Sequence, residues 1–257
     1  MARVWQERME LDGVVATHDE YEHVERYRWA VGRVSGRVLD IACGTGHGTA
    51  VLVAAGAVVT GADSDPGAIE RARRRVPSAR LALVDAPPVP FDDGAFDHVV
   101  SFETLEHIDR DAEFLAELHR VLAPGGGLLL STPNRAASSP NTARPDNPYH
   151  VREYLLDELL SVLETAGFEP PLIQCQRPER RRLPEYAAMA VIARVPKLCQ
   201  PGRWWDDLAH GSGRVTPWTP AITHPLSWVI EARRGNGAAA AASCDTAARS
   251  DPPSRSR

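Results

Sequence analysis

The sequence predicts an α/β fold: a seven-stranded, mostly parallel sheet with helices on both faces, an N-terminal helical arm and a lid-like insertion before the last strand. Three observations lead there. From Arg37 onward, short apolar runs of strand length alternate with segments of helical periodicity, as crossover-linked parallel strands do. Gly44, Gly46 and Gly48 follow directly on the first of these runs. Carboxylates then stand at the ends of the second and third runs, at Asp63 and Asp85.

Taken in order, residues 1–36 form the arm. Tyr21, Val24, Tyr27/Arg28, Val31 and Val34 recur at helical spacing and predict an amphipathic helix packed on the domain beside it. A sharper reading has the arm also cover a ligand, with Tyr21 or His18 reaching inward. Val38–Ile41 reads as strand one, Gly48–Ala55 as a helix and Ala57–Ala62 as strand two. Asp65-Pro66 supplies an N-cap and a first-turn proline for a helix through Arg75. Arg80–Val84 is strand three, followed by the rigid loop Pro87-Pro88-Val89-Pro90, and Phe96–Phe102 is strand four. A helix over Ala112–Leu122 carries apolar Phe114, Leu115, Leu118, Val121 and Leu122, and Pro124-Gly125-Gly126-Gly127 breaks it before strand five, Leu128–Thr132. Val151–Ala166 is a helix ended by Gly167. Pro170–Gln176 and Ser227–Arg233 are strands six and seven. The insertion between them, 176–226, carries a helix at 184–195 and Trp204, Trp205 and Trp218, and a loop of that length is expected to serve function as a lid. The domain thus spans 37–234, and 235–257 is a disordered tail.

The bulk properties narrow the function classes. At 257 residues, 43% hydrophobic and 25% charged, the chain has the composition of an ordinary globular domain. A net charge of −5 argues against a nucleic-acid partner, which rewards concentrated positive charge. No apolar run approaches the roughly 20 residues that span a bilayer, and the first residues carry no apolar signal core, so a cytoplasmic protein with no membrane partner is expected. Cysteines 43, 175, 199 and 244 form no CxxC pair, which suits free thiols in a reducing compartment. A homodimer is the oligomer kept open.

The glycine turn carries the first chemistry. Glycine after a buried strand tolerates positive φ and lets a ligand approach the backbone, while the following helix aims its N-terminus there. Asp63, at a strand end, can accept both hydroxyls of a ribose. Together they indicate a nucleoside-containing cofactor. A pyrophosphate would need an electropositive mouth. Asp40 stands there instead, a carboxylate suited to the ammonium or sulfonium of a zwitterionic amino acid. Asp85 adds an acidic group where an adenine amino group could bind. Both details favour S-adenosylmethionine over a dinucleotide.

Asp40-Ile-Ala-Cys-Gly-Thr-Gly46, Gly61-Ala-Asp63, Val84-Asp85-Ala86, Phe96-Asp97-His-Val-Val-Ser-Phe-Glu-Thr-Leu-Glu-His107 and Leu122-Ala-Pro-Gly-Gly-Gly127 resemble the successive motifs of class I methyltransferases, over about residues 37–175. The resemblance implies a Rossmann-like fold. It implies that Gly44, Gly46 and Asp40, with Ala42, line the methionine part of the donor. Asp63, with Ser64, would hold the ribose, and Asp85 with Ala86 would read the adenine. Phe102 would lie where donor and acceptor pockets meet. More narrowly, Glu103-Thr-Leu-Glu106-His107 and Ser131-Thr-Pro-Asn-Arg135 are similar to the ubiquinone-pathway O-methyltransferases. The Glu-x-x-Glu-His element also resembles the metal site of small-RNA 2′-O-methyltransferases, which implies His150 as a further ligand.

On the acceptor side, a helix starting near Glu103 would bring Glu103, Glu106 and His107 to one face. Three readings stand open. The residues hold a divalent ion, Mg²⁺ or Mn²⁺, that fixes two acceptor oxygens and stabilises an alkoxide. His107 or His150 acts as a metal-free general base. Or Glu103–His107 is a helix-start ion pair. Arg135 and Arg152 are candidates for an acidic substrate group or for plain surface charge. The expected function is O-methylation of a small molecule such as a catechol or sugar diol. The alternatives are an RNA 2′-O-methyltransferase or a non-catalytic methyltransferase-like binding subunit.

Overall fold

The computed structural model describes residues 18–140, 142, 144–176, 215–218 and 225–236. The expected helix at 184–195, Trp204, Trp205, most of the insertion and nearly all of the tail lie outside these residues, as do the side chains of His18 and Tyr21. Among the described residues, no helix is long and apolar enough to cross a membrane.

Strand β1 (Arg37–Ile41) is buried from Val38 on and pairs in parallel with β2 (Val58–Asp63) on one side and β4 (Phe96–Phe102) on the other. The sheet continues through β3 (Arg80–Leu83) beyond β2, and through β5 (Leu122–Pro133), β8 (Ser227–Arg233), β6 (Leu172–Gln176) and β7 (Val215–Pro217) beyond β4. Its order is β3-β2-β1-β4-β5-β8-β6-β7, parallel through β5 and antiparallel between β5, β8, β6 and β7. The α/β class and the mostly parallel sheet are as expected. An eighth strand, the short edge element β7, arises within the segment read as lid.

Burial on both faces follows the two-residue period of a strand. Leu39, Ile41, Val99, Leu128 and Leu130 enter one cluster, with Phe114, Leu115 and Leu118 of α4 (Asp111–Val121) and Leu159 and Leu163 of α6 (Leu156–Thr165), the helix that follows the single-turn α5 (Arg135–Ser138). Their neighbours Val38, Val100 and Leu129 enter the other, with Tyr27 and Ala30 of α1 (His18–Ala30) and Leu52 of α2 (His47–Ala54). Helix α3 (Pro66–Arg75) starts as its sequence says, with Asp65 accepting from the Gly67 N–H.

Two boundaries differ from the sequence reading. The glycines after Pro124 do not separate helix from strand. β5 starts at Leu122, and with Phe96 opposite Leu122 and His98 opposite Gly127, residues 123–126 bulge beside Asp97. A Cβ on Gly126 would lie 2.9 Å from the Asp97 carbonyl oxygen, so that passage needs glycine. And 151–155 is extended rather than helical, because the Val151 and Arg152 N–H groups donate to the Glu106 carbonyl instead.

The C-terminal end of α4 exposes carbonyls that the helix cannot use. Arg234, just past β8, donates one guanidinium nitrogen to the carbonyls of His119, Arg120 and Leu122, tying the helix end to the sheet. Replacing Arg234 by Ala is expected to cost about 1–3 kcal/mol. Chemical denaturation measures it, and an unchanged midpoint would show the contact to be idle.

Candidate active site

The chain leaves β1 through Ala42, Gly44 and Gly46 at φ 58°, 55° and 80°. A Cβ on Gly44 would meet no protein atom within 4 Å, so its Cα faces open space. A Cβ on Gly46 would press Ala72 at 2.9 Å, and one on Gly48 would enter the Tyr27 ring at 1.9 Å. The first glycine leaves room at the edge of the sheet, and the other two let α3 and α1 close on the turn. Asp63 grips the same turn: Oδ2 accepts from the Gly44 N–H and Oδ1 from the Asp65 N–H, both at 2.9 Å. Ser64 and Asp85 are exposed and Ala86 half-buried at the ends of the next two strands. The expected donor residues therefore share one edge of the sheet, beside the β1/β4 point where strand order reverses.

Asp40 differs from expectation. It does not line the turn but lies beneath it at 0% exposure, because it shares with Val38 the strand face that α1 and α2 cover. Oδ1 accepts from the Tyr27 hydroxyl at 2.8 Å and Oδ2 from Thr49 at 2.6 Å. Burial outweighs these two bonds and, with the charge of Asp63 adding to it, pushes the carboxyl up to about 6. Burial likewise lifts the Tyr27 phenol well above its usual range, so it remains a donor. Phe102 is buried edge-to-face on Tyr27, ring centroids 5.1 Å apart, and so sits in the core below the pocket boundary expected of it.

Past β4 no helix begins at Glu103. That residue takes φ 50°, its N–H bonds the Ser131 carbonyl, and only a single 3₁₀ turn follows, Leu105–His107. Glu103 Oε1 accepts from the Ser131 hydroxyl at 2.8 Å and lies 3.4 Å from the Arg26 guanidinium. With only that turn in place of a helix, Glu103 is not among the ligand atoms that gather at Glu106 and His107, which corrects the one-face expectation.

The remaining residues do converge. One ligand atom each from Glu106, His107 and His150 lies within 4.8 Å of the others, and the two imidazoles meet edge-to-face at 4.9 Å. Glu106 is 1% exposed; Oε2 accepts from Thr132 at 2.9 Å, whereas Oε1 has no hydrogen-bond partner among the described residues and stands 4.0 Å from His107 Nε2. Burial, then the charge of Glu103, raises its carboxyl well above the ordinary range. His107 Nδ1 lies 2.9 Å from the Tyr149 carbonyl, which can only accept, so Nδ1 carries a proton and donates it to that bond. The segment bearing His150 is brought here by the bonds from Val151 and Arg152 to the Glu106 carbonyl.

Several residues at the site escaped the sequence reading. Tyr27 showed only as a helix-face position. Arg26, buried at 3%, donates to Gln176 and pairs with Glu103. Asn147 and Glu153 contact His150, and only the i, i+3 spacing of His150 and Glu153 hinted at it. Conversely, Arg135 pairs with Glu158 and Arg152 with Asp111, so both candidates for an acidic substrate group are engaged.

Residues 39–130, from β1 into β5, match the family model described as a methyltransferase domain. The "Probable S-adenosylmethionine-dependent methyltransferase" of Mycolicibacterium smegmatis is 39% identical over 148 residues, which span 57% of this chain and 58% of that protein. The ubiquinone biosynthesis O-methyltransferase of Dinoroseobacter shibae is 32% identical over 149 residues, 52% of this chain and 60% of its own length. The chain spans about half the length of the curated relatives it matches. In fold it is similar to a Thermotoga maritima S-adenosylmethionine-dependent methyltransferase described as "possible histamine N-methyltransferase". The TM-score is 0.59 at 18% identity, over 83% of this chain and 89% of that one.

Asp40 sets a pH dependence. With a folded value near 6 against 3.8 unfolded, the folded state holds a proton that the unfolded state releases between those values, so its contribution to stability is lost as pH rises from about 4 through 6. Relative to Asp40→Asn, which keeps the shape, wild-type stability should fall by about 3 kcal/mol over that window. A difference that stays flat with pH in denaturant titrations would show the carboxyl to be unshifted.

Proposed function

We propose that this chain, whose residues 39–130 are a methyltransferase domain related to S-adenosylmethionine-dependent enzymes, transfers a methyl group from S-adenosylmethionine to a hydroxyl of a small molecule, with a divalent ion held by Glu106, His107 and His150. The observation that carries this reading is the placement of two unlike sites after adjacent strands. The glycine turn with Asp63 follows β1 and β2, and the Glu106/His107/His150 cluster gathers after β4, the strand paired with β1.

The residues fit the donor. The open face of Gly44 leaves room for it, the Asp63 carboxylate stands at the end of β2 where a ribose diol would lie, and Asp85 stands exposed where adenine would end. Because Asp40 is enclosed, discrimination against a dinucleotide rests on the relatives rather than on that carboxylate. The residues also fit a metal. Glu106 presents a buried oxygen with no hydrogen-bond partner among the described residues, and both imidazoles face an oxygen acceptor with Nδ1, as metal-ligating histidines do. With Glu103 outside the cluster, one carboxylate and two imidazoles remain, a set that suits Mn²⁺ or a similar borderline ion better than Mg²⁺.

Bound S-adenosylmethionine supplies a methyl carbon on a sulfonium, and a bound divalent ion lowers the pKa of the hydroxyl it touches. This chain's residues supply the alignment. Gly44 and Asp63 fix the donor end, and the cluster fixes the acceptor oxygen so that the C–O bond forms in line as C–S breaks, leaving a neutral thioether, and the hydroxyl proton passes to solvent water. The ubiquinone-pathway relative, named as an O-methyltransferase, supports a hydroxyl acceptor. A second reading keeps the residues and drops the ion: His107 or His150 takes the hydroxyl proton as a general base, a role imidazole fills near pH 7.

Calorimetry should show S-adenosylmethionine binding, weakened about tenfold or more in Asp63→Ala. Absence of binding by the wild type would remove the whole proposal. EDTA, Glu106→Gln and His107→Ala should each abolish turnover without unfolding the protein. Full turnover in chelator would select the metal-free base.

A further inference from the structure

We infer that Glu153 is a positioning residue that locks His150 with its proton on Nδ1 and so presents Nε2 to the cluster. The inference rests on the reading that His150 works through Nε2. Glu153 is 2% exposed, and a carboxylate so buried persists only when its lone pairs are taken. Here they are: Oε2 accepts from the hydroxyls of Ser138 and Ser139, and Oε1 faces His150 Nδ1 at 2.7 Å. Ser139 in turn accepts from the Asp146 N–H, so the carboxylate is fixed from both sides of the loop between β5 and α6. Toward the site, Oε1 is left to accept the hydrogen bond from the Nδ1 proton of His150.

The other ring nitrogen gives the same answer. Asn147 Oδ1 accepts from the Tyr149 N–H, which orients the amide and directs its Nδ2 donor to His150 Nε2 at 2.8 Å. An amide N–H can bond only a lone pair, so Nε2 is unprotonated, and Asn147 must turn aside when Nε2 takes a ligand. The two histidines also differ. His107 leans on a neutral carbonyl, His150 on a carboxylate, and a carboxylate partner makes an imidazole the stronger donor. His150 and Glu153 therefore act as one unit, ligand and support three residues apart.

Histidine-labelled full-length protein, without metal, gives the test by long-range ¹H–¹⁵N NMR. The wild type should show His150 with the proton on Nδ1. Glu153→Ala should shift it toward Nε2, and Glu153→Gln, whose amide oxygen still accepts, should restore it. A wild-type His150 protonated on Nε2, or an unchanged tautomer in Glu153→Ala, overturns the inference. Should the Ala variant not fold, the wild type and Glu153→Gln still decide through Mn²⁺ titration, where loss of the charge should weaken binding about 10- to 100-fold. Equal affinity counts against Glu153. A wild type that takes up no Mn²⁺ sinks the metal reading alone, and the tautomer still decides the role of Glu153.

Discussion

Asp40 has no exposure to solvent, and its two oxygens are claimed by hydroxyls from two different helices. A buried carboxylate is costly unless it is hydrogen-bonded, and here that requirement fixes the architecture around the turn. Tyr27 can reach Asp40 only if α1 lies over β1, and α1 can lie there only because Gly48 has no side chain under the Tyr27 ring. Thr49, one residue on, pins the first turn of α2 to the same carboxylate. The glycine turn is thus held from below by a bond network, and its upper face at Gly44 is left to the ligand.

The same helix reaches the other half of the site. Tyr27 serves the donor side through Asp40, while its neighbour Arg26 crosses to Glu103 and Gln176 on the acceptor side. Arg26 offsets an edge otherwise rich in carboxylates: Asp40, Asp63, Glu103 and Glu106 all stand at or just past the ends of β1, β2 and β4. By holding Glu103 toward Arg26 and Ser131, the arm also decides which acids can join the histidines. The described part of the arm is therefore part of the electrostatics at this sheet edge.

On the acceptor side, polar burial is uneven, and the unevenness is informative. Thr132, Tyr149, Ser138, Ser139 and Asn147 satisfy nearly every buried polar atom of the cluster, yet one oxygen of Glu106 is left unmet beside two imidazoles. Buried polar groups are ordinarily hydrogen-bonded, and an exception among otherwise satisfied neighbours marks where a ligand or proton belongs. Support of this kind around reactive groups comes from residues far apart in sequence, Glu106 and Glu153 among them.

Local pattern alone determined the alternation of strands and helices, the glycine turn, and Asp63 and Asp85 at strand ends, because strand burial, helix capping and left-handed turns are set by residues within a few positions of one another. Glu103, Glu106 and His107 stood out by their spacing, and His150 joined them as a candidate only through the family resemblance. Only the tertiary structure decided that Asp40 is enclosed, that Glu103 turns to Arg26, that β5 bulges through its glycines and that Glu153 stands behind His150. The first three depend on partners tens of residues away, as Tyr27 is to Gly48 or Ser131 to Glu103, and the His150–Glu153 pair, close in sequence, is set by how the loop carrying it folds back on Ser138 and Ser139. Sequence spacing carries no record of which side chain fills the space opposite, and that choice settled the chemistry of the site.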